Sequence, residues 1–274
     1  MKKVFALFII FTLISSSAFA FDELITGAHP FVNAPGNLTS GGRLVYLTAS
    51  DMLDADGEKQ ALADDTSSFR VPLYFDCGVM ENLSAIAVVP IVSMDMGGQS
   101  ETGIGDVWLG AKYNVLGKFT VRGALNLGTG DDKKGLGNPG GMGLDIAAMK
   151  RKTLIEDKFG IGGQVGIRWS GEDSDTKLQP GMGVYATGGA GYNLREGTSV
   201  SGELELMTFG DSSFDGADVT DSAVLNLDLN LSLQQRITER TGIYCTVVYT
   251  VMGENTLANT GFFLRTWYSF GKVF

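Results

Sequence analysis

The chain of 274 residues is rich in glycine, with 38 of them, contains only 6 prolines and 2 cysteines, and is 44% hydrophobic. Its formal net charge of -10 at pH 7 argues against a nucleic-acid partner, because such a partner requires clustered lysine and arginine side chains. Abundant glycine and many alternations of apolar and polar residues predict one all-β domain, without a second domain or a linker.

The first 20 residues have the features of a secretory signal peptide. Lys2 and Lys3 precede an apolar run at 4–14, and Ala18 and Ala20 form a small-x-small cleavage site. Beyond this site, no stretch of about 18 apolar residues could form a membrane-spanning helix. We therefore expect an exported chain, in which residues 21–41 are a periplasmic or lumen-inserted segment and residues 42–274 form the main domain.

Apolar and polar residues alternate in twelve segments, which we predict as β-strands because a period of two places side chains on opposite faces. In chain order their centres lie near residues 46, 74, 88, 110, 124, 147, 164, 186, 204, 228, 247 and 267. Short connections at 80–83, 115–118, 153–158, 193–198 and 237–241 alternate with longer ones at 51–67, 94–104, 129–142, 170–180, 210–221 and 253–259. This asymmetry predicts a closed antiparallel transmembrane β-barrel of about twelve strands, with periplasmic turns and longer outer loops. The even strand number places both termini in the periplasm.

One parity of most strands is apolar and free of charge, which is what a lipid face requires. The tenth strand is the clearest case, since leucines at 225, 227, 229, 231 and 233 alternate with polar residues. An arginine or lysine on the lipid face would cost about 2–4 kcal/mol near the midplane, so charges are confined to the lumen side. A soluble sandwich also alternates, but its strands usually end after about 5 or 6 residues. The third strand is apolar on both parities and contains Pro90, which leaves its register open.

The polar parity supplies the candidate functional residues, which would line the lumen. Arginines and lysines would form one wall, and the acidic residues of the ninth and tenth strands would form the facing wall. Opposed walls create a transverse field that could orient polar or zwitterionic solutes. The alternative is that the charges pair and fill the interior, because a twelve-strand lumen lies between the filled and the open cases. The predicted lumen path consists of Arg70, Asp106, Trp108, Lys112, Arg122, Arg168, Glu203, Glu205, Asp228 and Arg265.

Catalysis is disfavoured by the position of the sole histidine, His29, before the first predicted strand. Barrel hydrolases and proteases need a histidine held beside its partner, so we predict no catalytic residues. The segment GLGNPG at 135–140 matches G-x-G-x-x-G but is followed by a strand pattern, and we interpret it as a flexible outer loop.

Metal and disulfide chemistry are also disfavoured. The acidic segment at 51–58 lacks the spacing of an EF-hand, so we interpret it as a solvated loop, with cation bridges to lipopolysaccharide as the alternative. Cys77 and Cys245 fall on the apolar parity of separate strands, and we expect two buried free thiols. We predict no metal site and no cofactor.

The C-terminal strand ends on Phe274, with Phe270, Tyr268 and Leu264 on the same parity. This pattern is similar to the signal that the outer-membrane assembly machinery recognises, although Lys272 departs from it. The partners we expect are this machinery, outer-membrane lipid and lipopolysaccharide, and a small-molecule solute.

The segment TGIGDVWLGAKYNVLGKFTVRGALNLGTGD at 102–131 resembles the transporter-like outer-membrane barrels of the meta-pathway of phenol degradation. The resemblance rests on Gly103, Gly105 and Asp106, followed by an alternating strand, and residues 27–44 are similar to the family's N-terminal leader. It implies passage of small, often aromatic or apolar, compounds, with Asp106 in the lumen near the outer rim. We rank a passive or facilitated channel first, a structural or surface-interaction barrel second and an enzyme third.

Overall fold

The computed structural model describes residues 31–273, apart from 97–98, 132–135, 138–140, 157 and 174–176. The predicted signal peptide, His29 and Phe274 lie outside the described residues. Among those that are described, no helix is long and apolar enough to cross a membrane.

The described residues form seventeen β-strands, twelve of them long. Their bounds are β1 Asn37–Leu53, β2 Lys59–Met80, β3 Leu83–Met96, β4 Gln99–Ile104, β5 Trp108–Val115, β6 Phe119–Leu127, β7 Met142–Ile155, β8 Phe159–Ser170, β9 Leu178–Gln179, β10 Gly183–Arg195, β11 Thr198–Phe209, β12 Ser213–Phe214, β13 Ala217–Asp218, β14 Val224–Arg236, β15 Thr241–Glu254, β16 Thr256–Leu257 and β17 Thr260–Lys272. Each of the twelve predicted strand centres falls inside one of these strands.

Twelve strands close into one antiparallel barrel, which confirms the predicted fold class. The order around the barrel is β1, β2, β3, β5, β6, β7, β8, β10, β11, β14, β15 and β17. The first and last strands close it, with Asn37 opposite Lys272 at one end and Thr48 opposite Thr260 at the other. Closure matters because a hydrocarbon environment offers no partner to an unpaired strand edge.

The first barrel strand begins at Asn37, before the boundary predicted at residue 42. At the long-loop end, β1 and β2 have 17 and 22 residues, and β3 and β4 form a further hairpin. A bilayer needs only about 9–11 residues per tilted strand, so these strands extend beyond it. The segments predicted as loops at 51–67 and 94–104 are therefore largely strand, because backbone pairing continues outside the membrane.

The register of the strand that contains Pro90 is resolved. Pro90 lies opposite Pro72, and the side chains of Val88, Val92 and Met94 on its parity are buried. After Val88 the partner of β3 changes from β5 to β4. The amide of Gly105 donates to the carbonyl of Pro90 at 2.8 Å, so the proline carbonyl has a partner at this change of strand, where the missing N–H of proline is best tolerated.

The parity prediction for the leucine-rich strand is confirmed. Leu231 and Leu233 are 54% and 47% exposed on the outer surface, whereas Asn226 and Asn230 are buried on the inner side. Cys77 and Cys245 are free, as predicted, but both are half-buried rather than buried. Their outward parity explains this, because one side of each thiol faces the bilayer.

The loop after β6 differs from the flexible outer loop predicted for 135–140. Leu136 is 6% exposed and packs against Val92 and Met94 of β3. A Cβ atom on Gly103 would lie only 2.7 Å from Cδ1 of Leu136, so the glycine makes room for this leucine. The apolar side chain anchors the described part of the loop to the barrel wall.

Candidate functional site

Nine of the ten side chains of the predicted lumen path occupy the inward parity of their strands, and Asp106 lies between β4 and β5. Eight are buried: Arg70, Asp106, Trp108, Lys112, Arg122, Arg168, Glu205 and Arg265. The other two, Glu203 and Asp228, are half-buried. Contact of these residues with a solute stays a prediction, but their positions define the interior around which a functional site would be built.

A charged cluster fills the barrel interior at mid-height. The guanidinium of Arg122 donates to Asp145 at 2.7 Å and to the hydroxyl of Tyr185 at 2.8 Å. The hydroxyl lies 3.2 Å from each carboxylate oxygen of Asp145, to which it donates. Both charged side chains have zero solvent exposure, so each compensates the other's loss of hydration.

Aromatic and amide groups extend this polar layer. The guanidinium of Arg168 lies over the ring of Trp108, 4.6 Å from its centroid. Asn126 donates to Asp106 at 2.9 Å, and the other oxygen of Asp106 accepts from the amide of Gly130 at 2.8 Å. Asp106 therefore ties the gap between β4 and β5 to the start of the loop after β6.

The chain segment before β1 also contacts the lumen side of the wall. Lys112 pairs with Asp76 and donates to the carbonyl of Phe31 at 2.8 Å. The side-chain amide of Asn33 donates to the backbone carbonyl of Asp76 at 2.8 Å. The backbone amide of Asn33 donates to the hydroxyl of Ser84 at 2.9 Å. Residues 31–33 thus lie inside the barrel next to β2, β3 and β5.

Two arginines stand side by side where the barrel closes. Arg43 of β1 is the direct cross-strand partner of Arg265 of β17. The guanidinium of Arg43 lies 3.7 Å from the centroid of Phe263, and that of Arg265 lies 4.7 Å from the centroid of Tyr74. Stacking on the rings stabilises two like charges that would repel each other as bare neighbours.

The acidic residues lie next to one another on the neighbouring strands β11 and β14. Glu205 of β11 lies opposite Asp228 of β14. Asp228 accepts hydrogen bonds from Thr250 at 2.7 Å and from Asn226 at 2.8 Å. For Arg122 and Lys112 the carboxylate partners are Asp145 and Asp76, so pairing inside the lumen involves nearby strands and not only opposed walls.

A cavity of about 250 Å³ lies in the lumen toward the short-turn end. Its wall on β8 and β10 includes glycines at the inward positions 160, 162, 189 and 191. Arginines and an amide from other strands, including Arg43, Arg265 and Asn230, line the cavity with Gln164 of β8. Four inward positions without a side chain leave this part of the lumen open.

Several lumen residues were missing from the predicted path, namely Arg43, Asp76, Asp145, Tyr185 and Asn230. Asp145 could have been found, because it is the inward residue between outward Leu144 and Ile146 on β7. Sequence parity gives no sign of which inward charge pairs with which. That choice depends on strand stagger and on side-chain reach across the lumen.

Comparisons with known proteins agree with this architecture. The COG4313 outer membrane channel from Pseudomonas putida F1 is similar with a TM-score of 0.74 and 17% identity, over 89% of this chain and 98% of that one. The translocator domain of the autotransporter NalP from Neisseria meningitidis has a TM-score of 0.52 and 7% identity, over 95% of this chain and 98% of its own. The NanC porin has a TM-score of 0.50 and 12% identity, over 85% of this chain and 98% of its own. At these identities the likeness shows the fold.

No curated protein sequence matches the chain. The family model described as "Putative MetA-pathway of phenol degradation" matches residues 37–266, which is most of the chain, and so confirms the resemblance seen at 102–131. The chain is therefore a twelve-stranded β-barrel that belongs to the MetA-pathway of phenol degradation family.

Proposed function

We propose that this barrel gives small solutes, including aromatic or apolar ones, passive or facilitated passage through a narrow charged lumen. The observation that carries the proposal is the cavity within the lumen, which is lined by charged, amide and aromatic side chains. The aromatic rings of Tyr244 and Phe263 line this cavity and offer apolar contact to a ring. Family membership and the likeness to an outer membrane channel from Pseudomonas putida F1 support the same role.

The proposed orientation places the short turns and both termini in the periplasm and the long loops outside, as is usual for outer-membrane barrels. After removal of residues 1–20, residues 21–41 would comprise a lumen-inserted gate followed by the beginning of β1. The contacts of Phe31 and Asn33 with Lys112, Asp76 and Ser84 support this placement. Deleting residues 21–33 should increase conductance, and unchanged conductance would contradict a gating role.

Conductance of the refolded protein in planar bilayers tests the main proposal. We expect discrete conductance steps, together with swelling of liposomes in small neutral solutes. The variant Glu203→Gln removes a negative charge from the lumen. It should lower the permeability of cations relative to anions, because a negative charge in the lumen concentrates cations. Glu239→Gln is the matched control, since Glu239 is exposed in the turn between β14 and β15 and does not line the cavity. Absence of both conductance and swelling would reject the proposal.

A non-conducting structural or surface-interaction barrel is the second candidate, and a specific observation favours it. Trp108, Arg122 and Asp145 have zero exposure, so the lumen is densely packed around them. In that case outer-membrane lipid and lipopolysaccharide would be the main partners. Insertion by the assembly machinery through the strand ending at Phe274 is common to both candidates, and neither assigns an enzymatic activity.

A further inference from the structure

We propose that the cavity at the short-turn end is a binding site for a small organic carboxylate that carries a second polar group. This inference rests on the proposed function, because it names the class of solute that the lumen holds. The cavity volume of about 250 Å³ exceeds the roughly 150 Å³ that accommodates benzene in an engineered protein cavity, so a single-ring acid fits.

Charge is the first argument for an anion. Arg43, Arg151 and Arg265 line the cavity on the inward parity, and Glu203 is the single carboxylate among its described lining residues. The planar guanidinium group matches a carboxylate with two parallel hydrogen bonds. Arg43 and Arg265 are direct cross-strand neighbours, so one anion can contact both.

Two buried amides supply the second, independent argument. Asn230 and Gln164 are 5% and 7% exposed, and both line the cavity. Among the described residues, neither the amide nitrogen nor the amide oxygen of Asn230 has a hydrogen-bond partner, and the oxygen of Gln164 also has none. Buried amide atoms without partners are costly, so their presence at a cavity indicates a polar guest. Asn230 can donate to the guest and accept from its hydroxyl group.

The glycine wall is the third argument. A Cβ atom added to Gly191 would meet its nearest neighbours at 3.6 Å, which is ordinary contact, and one added to Gly162 would meet its nearest neighbour at 3.4 Å. Neither glycine has a positive φ angle. Backbone geometry and packing therefore do not require glycine at these positions, whereas an open cavity does.

Calorimetric titration of the purified mature chain in detergent micelles tests the inference with three small molecules that share the same phenol ring. The probes are 4-hydroxybenzoate, 4-hydroxybenzyl alcohol and 4-hydroxybenzylamine, which differ in charge. We expect one carboxylate to bind per barrel, at least about tenfold more tightly than either of the other probes, which corresponds to about 1.4 kcal/mol. Arg265→Gln should weaken carboxylate binding by about tenfold or more.

Gly191→Leu provides the steric test, because its side chain would extend into the cavity. It should abolish binding, while Gly188→Leu on the outward parity of β10 should leave binding unchanged, since a Cβ atom there meets no described residue within 4 Å. Retained heat-modifiable migration in gels shows that both variants fold. Equal affinity for the three probes, or tight binding by Gly191→Leu, would overturn the inference.

Two further outcomes separate this inference from the proposed function. Carboxylate binding that arises only after residues 21–30 are deleted would identify this segment, which contains Asp22 and Glu23, as the natural occupant, and so overturn a solute site. Conductance without selective carboxylate binding would reject this inference alone. Selective binding without conductance or swelling would support the site and reject passage.

Discussion

The buried ion pair of Arg122 and Asp145 should contribute strongly to the free energy of unfolding of this barrel. Both side chains have zero exposure, and their 2.7 Å contact is shared with Tyr185. Arg122→Met leaves a carboxylate buried without its cation, and Asp145→Leu leaves a guanidinium without its anion. Breaking one side of such a pair costs about 3–5 kcal/mol. We expect each single replacement to lower the free energy of unfolding by that amount.

The double replacement Arg122→Met with Asp145→Leu removes both charges and should restore most of the loss. The coupling energy between the two sites should therefore exceed about 3 kcal/mol. Tyr185→Phe is a smaller perturbation, which removes only the hydroxyl and should cost about 1 kcal/mol. Urea unfolding in phospholipid vesicles, followed by tryptophan fluorescence, measures all four variants. Additive losses, or single losses below about 1 kcal/mol, would refute the desolvation argument.

Three further predictions concern the lipid face, the outer loop and the acidic turn. Leu229→Arg places a charge on the lipid face and should lower the free energy of unfolding in vesicles by about 2–4 kcal/mol. Ser232→Arg on the lumen face of the same strand should lower it clearly less. Equal losses would contradict the assignment of the two faces. Leu136→Gly should increase tryptic cleavage within the loop after β6, because the buried leucine anchors it; an unchanged cleavage rate would show that the anchor is dispensable. The hydrogen bonds that the carboxylate of Asp54 accepts, first from a backbone amide of its own turn, hold its pKa below the ordinary 3.8. A lowered pKa of Asp54 stabilises the folded turn above pH 3.8, and this contribution disappears as the pH falls through the pKa of Asp54 in the folded state. The amide signals of the turn in NMR spectra should therefore shift only below pH 3.8. Asp54→Ala should abolish that shift.

Strand positions and faces were predictable because each depends on local pattern. The alternation along 225–233 places Leu231 toward lipid and Asn230 toward the lumen without reference to any other strand. The same reasoning failed at 51–67, where polar residues indicated a loop but long-range pairing extended β1 and β2. Polarity signals solvent exposure, and an extended hairpin outside the membrane is also exposed.

The candidate site was less predictable, because its contacts join residues far apart in the chain. Lys112 meets Asp76 and Phe31 only after β2 and β5 are brought together on either side of β3. The cavity beside Arg43 and Arg265 arises from glycines on β8 and β10, on other strands of the barrel. Single glycines in a sequence do not indicate whether they serve turns, close packing or open space.

The sequence by itself determined the fold class, the number of barrel strands and the sorting of side chains between lipid and lumen. These properties follow from the alternation of apolar and polar residues along each strand. A charged side chain on the lipid face costs free energy in the bilayer, whichever strand carries it. Only the tertiary structure decided which inward charges pair, that Leu136 anchors a loop to the wall and that an arginine-lined cavity lies beside β8 and β10. Those outcomes depend on the stagger of strands around a closed cylinder, which brings together residues from distant parts of the chain.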